Sequence, residues 1–143
     1  MIDLRLKRDI QSAESCRLIA YQDPLGVWTI GWGHADVPPG TVWTQEQADG
    51  QLDRDIESSA FFAQRLWEWP ALDTDCRRNA LIELCFNLRG RWLKFVDTRA
   101  ALHAKDWQGA HDGLLNSLWA QQVHATRANR LANYLLTGAY PGG

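Results

Sequence analysis

The stretch from Glu14 to His34 changes from a helical pattern to an extended one, and this change restricts the fold. Apolar residues recur at three- and four-residue spacing before it, which predicts a helix over residues 4–14. A Pro-Leu-Gly turn at residues 24–26 precedes the β-prone run at residues 27–30, which two glycines close. Residues 17–37 are therefore predicted to form a small antiparallel sheet.

The chain returns to a helical pattern after this predicted sheet. Thr44 is placed to cap a helix, with Gln47 three residues later completing a capping box. This long helix is predicted to extend as far as Trp67 and to end before Trp69-Pro70. The pattern predicts an α+β fold in which a small antiparallel sheet lobe and an all-helical lobe are joined by the long helix, with a cleft between them.

Every segment after Pro70 has helical spacing. The predicted helices begin at Asp73 or Thr74, cover residues 95–104, start again at Asp106 and cover residues 126–136, with Gly138 ending the last one. The Arg77-Arg78 pair is predicted to lie on a solvated helix face. The chain has no linker and no repeat, so residues 1–143 are predicted to form one domain, with a mixed lobe at roughly 15–66 and a helical lobe from 1–14 and 67–143.

Composition narrows the class of function. The net charge is −2, so the chain lacks the basic surface that nucleic-acid binding requires. Eight Trp residues are many for this length and favour a carbohydrate ligand, because sugars stack on indole faces. Neither a signal peptide nor an apolar run of membrane-spanning length is present in the sequence. Three cysteines without paired spacing suit neither a disulfide framework nor a metal site, and we expect small buried thiols.

Glu14, Asp23 and Thr29 are the residues of the opening stretch that could do chemistry together. Glu14 ends the predicted first helix and Asp23 enters the hairpin, so the two carboxyl groups come from different elements. Glycosidases use two acids in this way, one to donate a proton and one to activate water. Each residue also has a structural interpretation: a solvated helix-end Glu14, a turn-forming Asp23 before Pro24, and Thr29 as a β-branched strand residue.

The same stretch resembles the opening motif of the phage-type lysozymes, glycoside hydrolase family 24. The matching residues are Glu14, Arg17-Leu18, Ala20-Tyr21, Asp23, Gly26, Thr29-Ile30-Gly31 and Gly33-His34. The family has Gly after the Glu of the motif, where this chain has Ser15. Looser matches continue over nearly the whole chain, with a loop from Trp119 to Arg127 that is about two residues longer than in the family.

The resemblance implies a lysozyme-like fold and a role for each residue of the set. Glu14 would be the general acid, kept protonated near neutral pH by an apolar surrounding that raises its pKa. Asp23 would accept a proton from the attacking water or orient it, and Thr29 would hydrogen-bond the same water. A water between the two acids predicts inversion, with carboxyl groups roughly 6.5–9.5 Å apart, whereas a shorter separation would indicate a covalent intermediate on Asp23.

Five further residues receive roles through the resemblance. His34 would pair with Asp55 on the long helix, a structural ion pair and not a catalytic one. Ser117 and Trp119 would contact substrate, although capping and core packing explain them equally simply. Arg127 matches an Arg near the catalytic Glu, with a solvated helix residue as the simpler interpretation.

The resemblance implies an endolysin muramidase that hydrolyses the β-1,4 bond between N-acetylmuramic acid and N-acetylglucosamine in bacterial peptidoglycan. The alternatives are a lytic transglycosylase on the same fold, which needs no water-directing Asp, a chitinase, or a non-catalytic peptidoglycan-binding module. No cofactor or metal is implied. We expect a monomer that stays in the host cytoplasm until a holin opens the membrane, then reaches the periplasm and cell wall, with no nucleic-acid partner and no stable membrane insertion.

Overall fold

The computed structural model describes residues 2–142, and 62% of the protein is helical. One three-stranded antiparallel sheet accompanies the helices in these residues, so the fold is α+β and lysozyme-like, as predicted. The chain divides after Ser58 into two compact units, here called the first unit (to Ser58) and the second unit (from Ser59). The helix predicted over residues 4–14 belongs to the first unit with the sheet.

The helices are numbered here in chain order. They are α1 (Leu4–Ala13), α2 (Gln45–Ala63), α3 (Asp75–Leu88), α4 (Val96–His103), α5 (Trp107–Leu115), α6 (Leu118–Gln122) and α7 (Ala125–Thr137). Two 3-10 segments cover Trp69–Ala71 and Arg89–Lys94. No helix within residues 2–142 is both long enough and apolar enough to cross a membrane.

The sheet consists of β1 (Arg17–Gln22), β2 (Trp28–Gly31) and β3 (His34–Ala35), with β2 in the centre. Both pairings are antiparallel, so the prediction of a small antiparallel sheet is confirmed. Asp23 lies in the loop between β1 and β2, Thr29 lies within β2, and Gly33 in the turn between β2 and β3 faces Glu14.

The capping box at the start of α2 forms as predicted. The backbone N–H of Gln47 donates to Thr44 Oγ1 at 3.1 Å, and the backbone N–H of Thr44 donates to Gln47 Oε1 at 2.8 Å. The helix ends at Ala63, short of Trp67, and the chain then tightens into the 3-10 segment that contains Pro70.

Helix α3 is buried on nearly every side, which corrects the predicted solvated face at Arg77. The Arg77 guanidinium donates to the carbonyls of Leu135 and Leu136 at 2.9 and 2.8 Å and to Asp73 Oδ1 at 2.8 Å. The last carbonyls of a helix have no intrahelical hydrogen-bond donor, and Arg77 supplies donors to two of them at the end of α7. Arg78 is partly exposed, as expected for that half of the pair.

The segment from Trp119 to Arg127 also differs from the expected loop, because α6 occupies its beginning. Ser117 caps α6 with its side chain, and His124 caps α7 in the same way. Five helical residues are too few to give a periodic apolar signal, which explains why the sequence pattern did not predict α6.

Candidate active site

Glu14 is positioned by the end of α1 and by the turn between β2 and β3. Its backbone N–H donates to Ile10 O at 2.9 Å, so the residue is the C-cap of the helix. A Cβ built on Gly33 would lie 2.9 Å from Glu14 Oε2 and 3.0 Å from its Cδ. Because Gly33 has φ +82°, only glycine combines this backbone with room for the carboxyl group.

Asp23 is held by the loop between β1 and β2. Its Oδ1 accepts from the backbone N–H groups of Leu25 and Val27, both at 2.9 Å, while its own N–H donates to Val27 O. Gly26 completes the loop with φ +82°. Asp23 thus makes the predicted turn, and its Oδ2 accepts no hydrogen bond from any residue in the described part of the chain, so a water could bind there.

Thr29 lies in the central strand with only 5% of its surface exposed. Its hydroxyl donates to Val27 O at 3.0 Å, which leaves the lone pairs of Oγ1 to accept from a water. The backbone of Val27 therefore contacts both side chains, by donating to Asp23 and accepting from Thr29. The main chain of Val27, whose side chain has no reactive group, thus holds two of the three candidate side chains.

Tyr21 is a residue of this site to which the sequence analysis gave no role. It lies opposite Thr29 in the β1–β2 ladder, and the Arg17 guanidinium carbon lies 4.4 Å from its ring centroid. Burial raises the pKa of the Tyr21 phenol, and the negative charges of Glu14 and Asp23 raise it further, against an opposing effect of Arg17. Both carboxyl groups therefore act on one phenol. Its position in the predicted sheet, two residues before Asp23, was the signal available in the sequence.

His34 and Asp55 are in contact, with His34 Nδ1 2.7 Å from Asp55 Oδ2. The second carboxylate oxygen of Asp55 accepts from Gln51 Nε2 at 2.8 Å, and the His34 ring lies 5.6 Å from that of Trp43. The interaction connects β3 with α2 inside the first unit. Its partners are structural residues, which suits the predicted supporting role.

Ser117 and Trp119 lie in the second unit, and their polar atoms have partners within the protein. Ser117 Oγ donates to Leu114 O at 2.6 Å and accepts from Ala120 N at 3.3 Å. Trp119 is 5% exposed, and its indole N–H donates to Asn87 Oδ1 at 2.6 Å. Capping and core packing therefore account for both contacts, and a role in substrate binding stays a prediction.

Arg127 is buried, in contrast to the solvated alternative, and contacts a residue that the sequence analysis did not single out. Its Nε donates to Glu83 Oε2 at 3.0 Å. Arg130 donates to both oxygens of the same carboxylate at 2.8 Å. Two guanidinium groups thus share the buried Glu83, which holds Arg127 in place. The only sequence signal for Glu83 was a charged residue within the apolar run at residues 80–86.

The described residues contain no group of three or more His, Cys, Asp or Glu side chains that could hold a metal ion. The arrangement in the first unit instead brings together two carboxyl groups, a hydroxyl with free lone pairs and a phenol. Such a set can donate a proton and direct a water.

Comparison with known proteins gives the family. The phage lysozyme family matches residues 11–132. An endolysin of Acyrthosiphon pisum secondary endosymbiont phage 1 is 32% identical over 102 residues, which cover 71% of this chain and 68% of that protein. Endolysins of Lactococcus phages c2 and phivML3 are each 52% identical over 52 residues, 34% of this chain and only 23% of each relative's length. The family match covers most of this chain, and it shows that the chain belongs to the phage lysozyme family.

Proposed function

We propose that this protein is an endolysin that hydrolyses the β-1,4 bond between N-acetylmuramic acid and N-acetylglucosamine in bacterial peptidoglycan. Membership of the phage lysozyme family and the endolysin names of the relatives support cell-wall hydrolysis. The observation that carries the proposal is the set in the first unit: Asp23 and Thr29 oriented by one backbone residue, with the Glu14 carboxyl packed against Gly33.

The residues suggest the following reaction. Glu14 donates its proton to the glycosidic oxygen as the bond from that oxygen to the anomeric carbon breaks. A water held by Asp23 and Thr29 attacks the anomeric carbon from the opposite face and passes its proton to Asp23. Exchange with solvent then restores the proton on Glu14 and the charge on Asp23. General acid and base steps of this kind contribute about 10²–10⁴-fold each.

The first experiment is mass spectrometry of the products formed from purified peptidoglycan. The wild type is expected to release muropeptides with reducing ends, Glu14→Gln to release none, and Asp23→Asn to release far fewer. Products with 1,6-anhydro ends and a fully active Asp23→Asn variant would indicate a lytic transglycosylase. Binding to the wall without any soluble product would indicate a non-catalytic module.

A second experiment tests inversion. Proton NMR of the first products from a soluble glycan should show the α-anomer before mutarotation, because attack opposite a β-linked leaving group inverts the anomeric carbon. An initial β-anomer would contradict the role of Asp23 as water activator and favour a covalent intermediate.

The cellular part of the proposal follows from the lysis role. The protein acts as a monomer, waits in the host cytoplasm, and reaches the periplasm and cell wall after a holin opens the membrane. Co-expression with and without a holin tests this: lysis of the culture should require both proteins, and lysis by this protein alone would contradict it.

A further inference from the structure

The turn between β2 and β3 is attached to α2 through an indole. Trp32 occupies this turn directly before Gly33, and its Nε1–H donates to Asp49 Oδ1 at 2.9 Å. Both partners of this hydrogen bond are half-buried. A Cβ on Gly31 would lie 3.4 Å from the Ala48 Cβ, so the chain before Trp32 also lies against this helix. The turn is therefore fixed to α2 by one hydrogen bond and by close packing.

The same helix contacts the segment that carries Glu14. Gln45 precedes Asp49 by one helical turn, and its Nε2 donates to Asp49 Oδ1 at 2.8 Å. The same amide nitrogen donates to Cys16 Sγ at 3.5 Å, shortly after Glu14 in the chain. The Glu14 carboxyl itself packs against Gly33. Asp49 Oδ1 is thus bonded directly to the turn that faces the Glu14 carboxyl, and through Gln45 to the chain that follows Glu14.

The negative charge of Asp49 strengthens these hydrogen bonds. The bond from Trp32 and then that from Gln45 lower the pKa of Asp49, against the opposing effect of desolvation, and the positive charge of Lys7 lowers it further. Asp49 is therefore a carboxylate at neutral pH, and hydrogen bonds to an ionised acceptor are shorter and stronger than those between neutral groups. An indole has a single donor, and Trp32 uses it within the protein. The interaction therefore suits a supporting role better than substrate binding.

We propose that Trp32 and Asp49 are positioning residues for Glu14. Their hydrogen bond holds the turn in place, so that Gly33 keeps the Glu14 carboxyl where it can donate its proton to the glycosidic oxygen. This inference rests on the proposed function, which makes Glu14 the general acid. A catalytic group displaced by about 1 Å can lose about a hundredfold in rate, so a hydrogen bond that does not contact the reacting atoms can still affect catalysis.

The test is a double-mutant cycle, measured with soluble glycan strands prepared from peptidoglycan. Trp32→Phe removes the donor and keeps an aromatic ring, and Asp49→Ala removes the acceptor. Each change should lower kcat about tenfold and change KM less than about twofold, because proton donation is affected and binding is not. The double variant should also lose about tenfold, and not about a hundredfold, because both changes remove the same hydrogen bond. Asp49→Asn keeps an oxygen that can accept both bonds and should recover most of the kcat.

Asp53 provides the matched control. It is a carboxylate one turn further along α2 that accepts from Lys7 Nζ on α1 at 2.7 Å, and both members of that ion pair are partly exposed, so Asp53→Ala should leave kcat unchanged. A second measurement needs no catalysis. The carbon NMR shift of the Glu14 carboxyl, at one pH, should change in Trp32→Phe and Asp49→Ala but not in Asp53→Ala. Thermal unfolding of each variant checks the fold, and Trp32→Phe carries the test alone if Asp49→Ala does not fold.

The outcomes separate this inference from the proposed function. If the wild type cleaves the glycan while Trp32→Phe keeps its full kcat, or if the two losses multiply to about a hundredfold, the positioning role is overturned and the hydrolase stands. An equal loss of kcat in Asp53→Ala and Asp49→Ala overturns the positioning role as well. If the wild type releases no product but the Glu14 carboxyl shift changes as expected, the support of Glu14 by Trp32 and Asp49 is retained and the proposed hydrolase is contradicted.

Discussion

Val27 shows that a residue without reactive atoms can organise a candidate site. Its backbone N–H binds Asp23 Oδ1 at 2.9 Å, and its carbonyl accepts the Thr29 hydroxyl at 3.0 Å. Because both bonds involve the main chain, the relative positions of the two side chains depend on the loop conformation and not on the identity of residue 27. The free oxygen of Asp23 and the lone pairs of Thr29 then remain for water.

Gly33→Ala tests the packing of the Glu14 carboxyl. The added Cβ would lie within 3.3 Å of three carboxyl atoms, so we expect the carboxyl to move and the hydrolytic rate to fall about a hundredfold. Gly40→Ala is the matched control, since Gly40 has φ +83° and no atom within 4 Å of the added Cβ. Both variants should lose about 1–2 kcal/mol of stability from the positive φ. Equal activity in the two variants would contradict this account of Glu14.

Asp49 should titrate below the ordinary range. Its carboxylate accepts from Trp32 Nε1 at 2.9 Å and from Gln45 Nε2 at 2.8 Å, and these hydrogen bonds, that from Trp32 first, lower its pKa below 3.8. A lowered folded-state pKa contributes stability that is present above the unfolded value and is lost as the pH falls through the folded value.

The measurement is NMR titration of the Trp32 indole N–H, assigned with Trp32→Phe. Its midpoint should lie below pH 3.8 and move upward in Gln45→Ala, which removes one hydrogen bond to the carboxylate. A midpoint that is unchanged in Gln45→Ala would show that the bond from Gln45 does not stabilise the charged form.

Helix α3 depends on contacts that are distant in sequence. Arg77 binds carbonyls of α7 that are 58 and 59 residues away, and its guanidinium carbon lies 3.9 Å from the Trp107 ring centroid. Gly138 ends α7 in the left-handed conformation with φ +67°, as the sequence predicted. A Cβ at Gly138 would lie within 2.7 Å of the Arg77 guanidinium. The Arg77 side chain can therefore reach the end of α7 only if residue 138 is glycine.

The end of α3 is strained, and glycine should relieve it. Arg89 has φ 55° and ψ −133°, a conformation that costs a non-glycine residue about 1–3 kcal/mol. Arg89→Gly should therefore raise the free energy of unfolding by about 1 kcal/mol, after the entropic cost of glycine of about 0.5–1 kcal/mol. Arg91 does not have a positive φ, so Arg91→Gly should lower the free energy of unfolding. Urea denaturation measures both, and destabilisation by Arg89→Gly would contradict the strain.

Across the chain as a whole, the candidate site residues are divided between the two compact units. Glu14, Asp23 and Thr29 all lie in the first unit, whereas Ser117, Trp119 and the buried Arg127 lie in the second. Buried charges are also unevenly distributed. In the second unit Glu68 is fully buried with Arg99 and Trp92, and Glu83 with two arginines.

The three thiols provide a test of folding for the whole chain. Burial raises the pKa of Cys85 to about 12, with a further contribution from Glu68, and Cys76 is also buried. Cys16 is partly exposed, unlike the buried thiol that the composition suggested. Because the thiolate is the reactive form, a thiol reagent should modify one cysteine quickly in the native protein and three in denaturant. Cys16→Ser should abolish the fast phase, and a fast phase that persists would contradict this assignment.

Features whose partners lie within a few residues follow from the amino-acid sequence alone. The α1 spacing, the Thr44–Gln47 capping box and the Gly138 cap each depend on contacts across four residues or fewer, and all three form as predicted. The spacing of Glu14, Asp23 and Thr29 identified the candidate site because one helix end and the hairpin that follows it in the sequence carry all three residues.

The environment of the charged helix residues depends instead on segments that meet only in the folded chain. Helical period shows that Arg77, Glu83 and Arg127 share faces with apolar neighbours, but a guanidinium or carboxylate can be buried only where a distant segment supplies its partners. Those partners lie 44 to 59 residues away, and no local pattern encodes them.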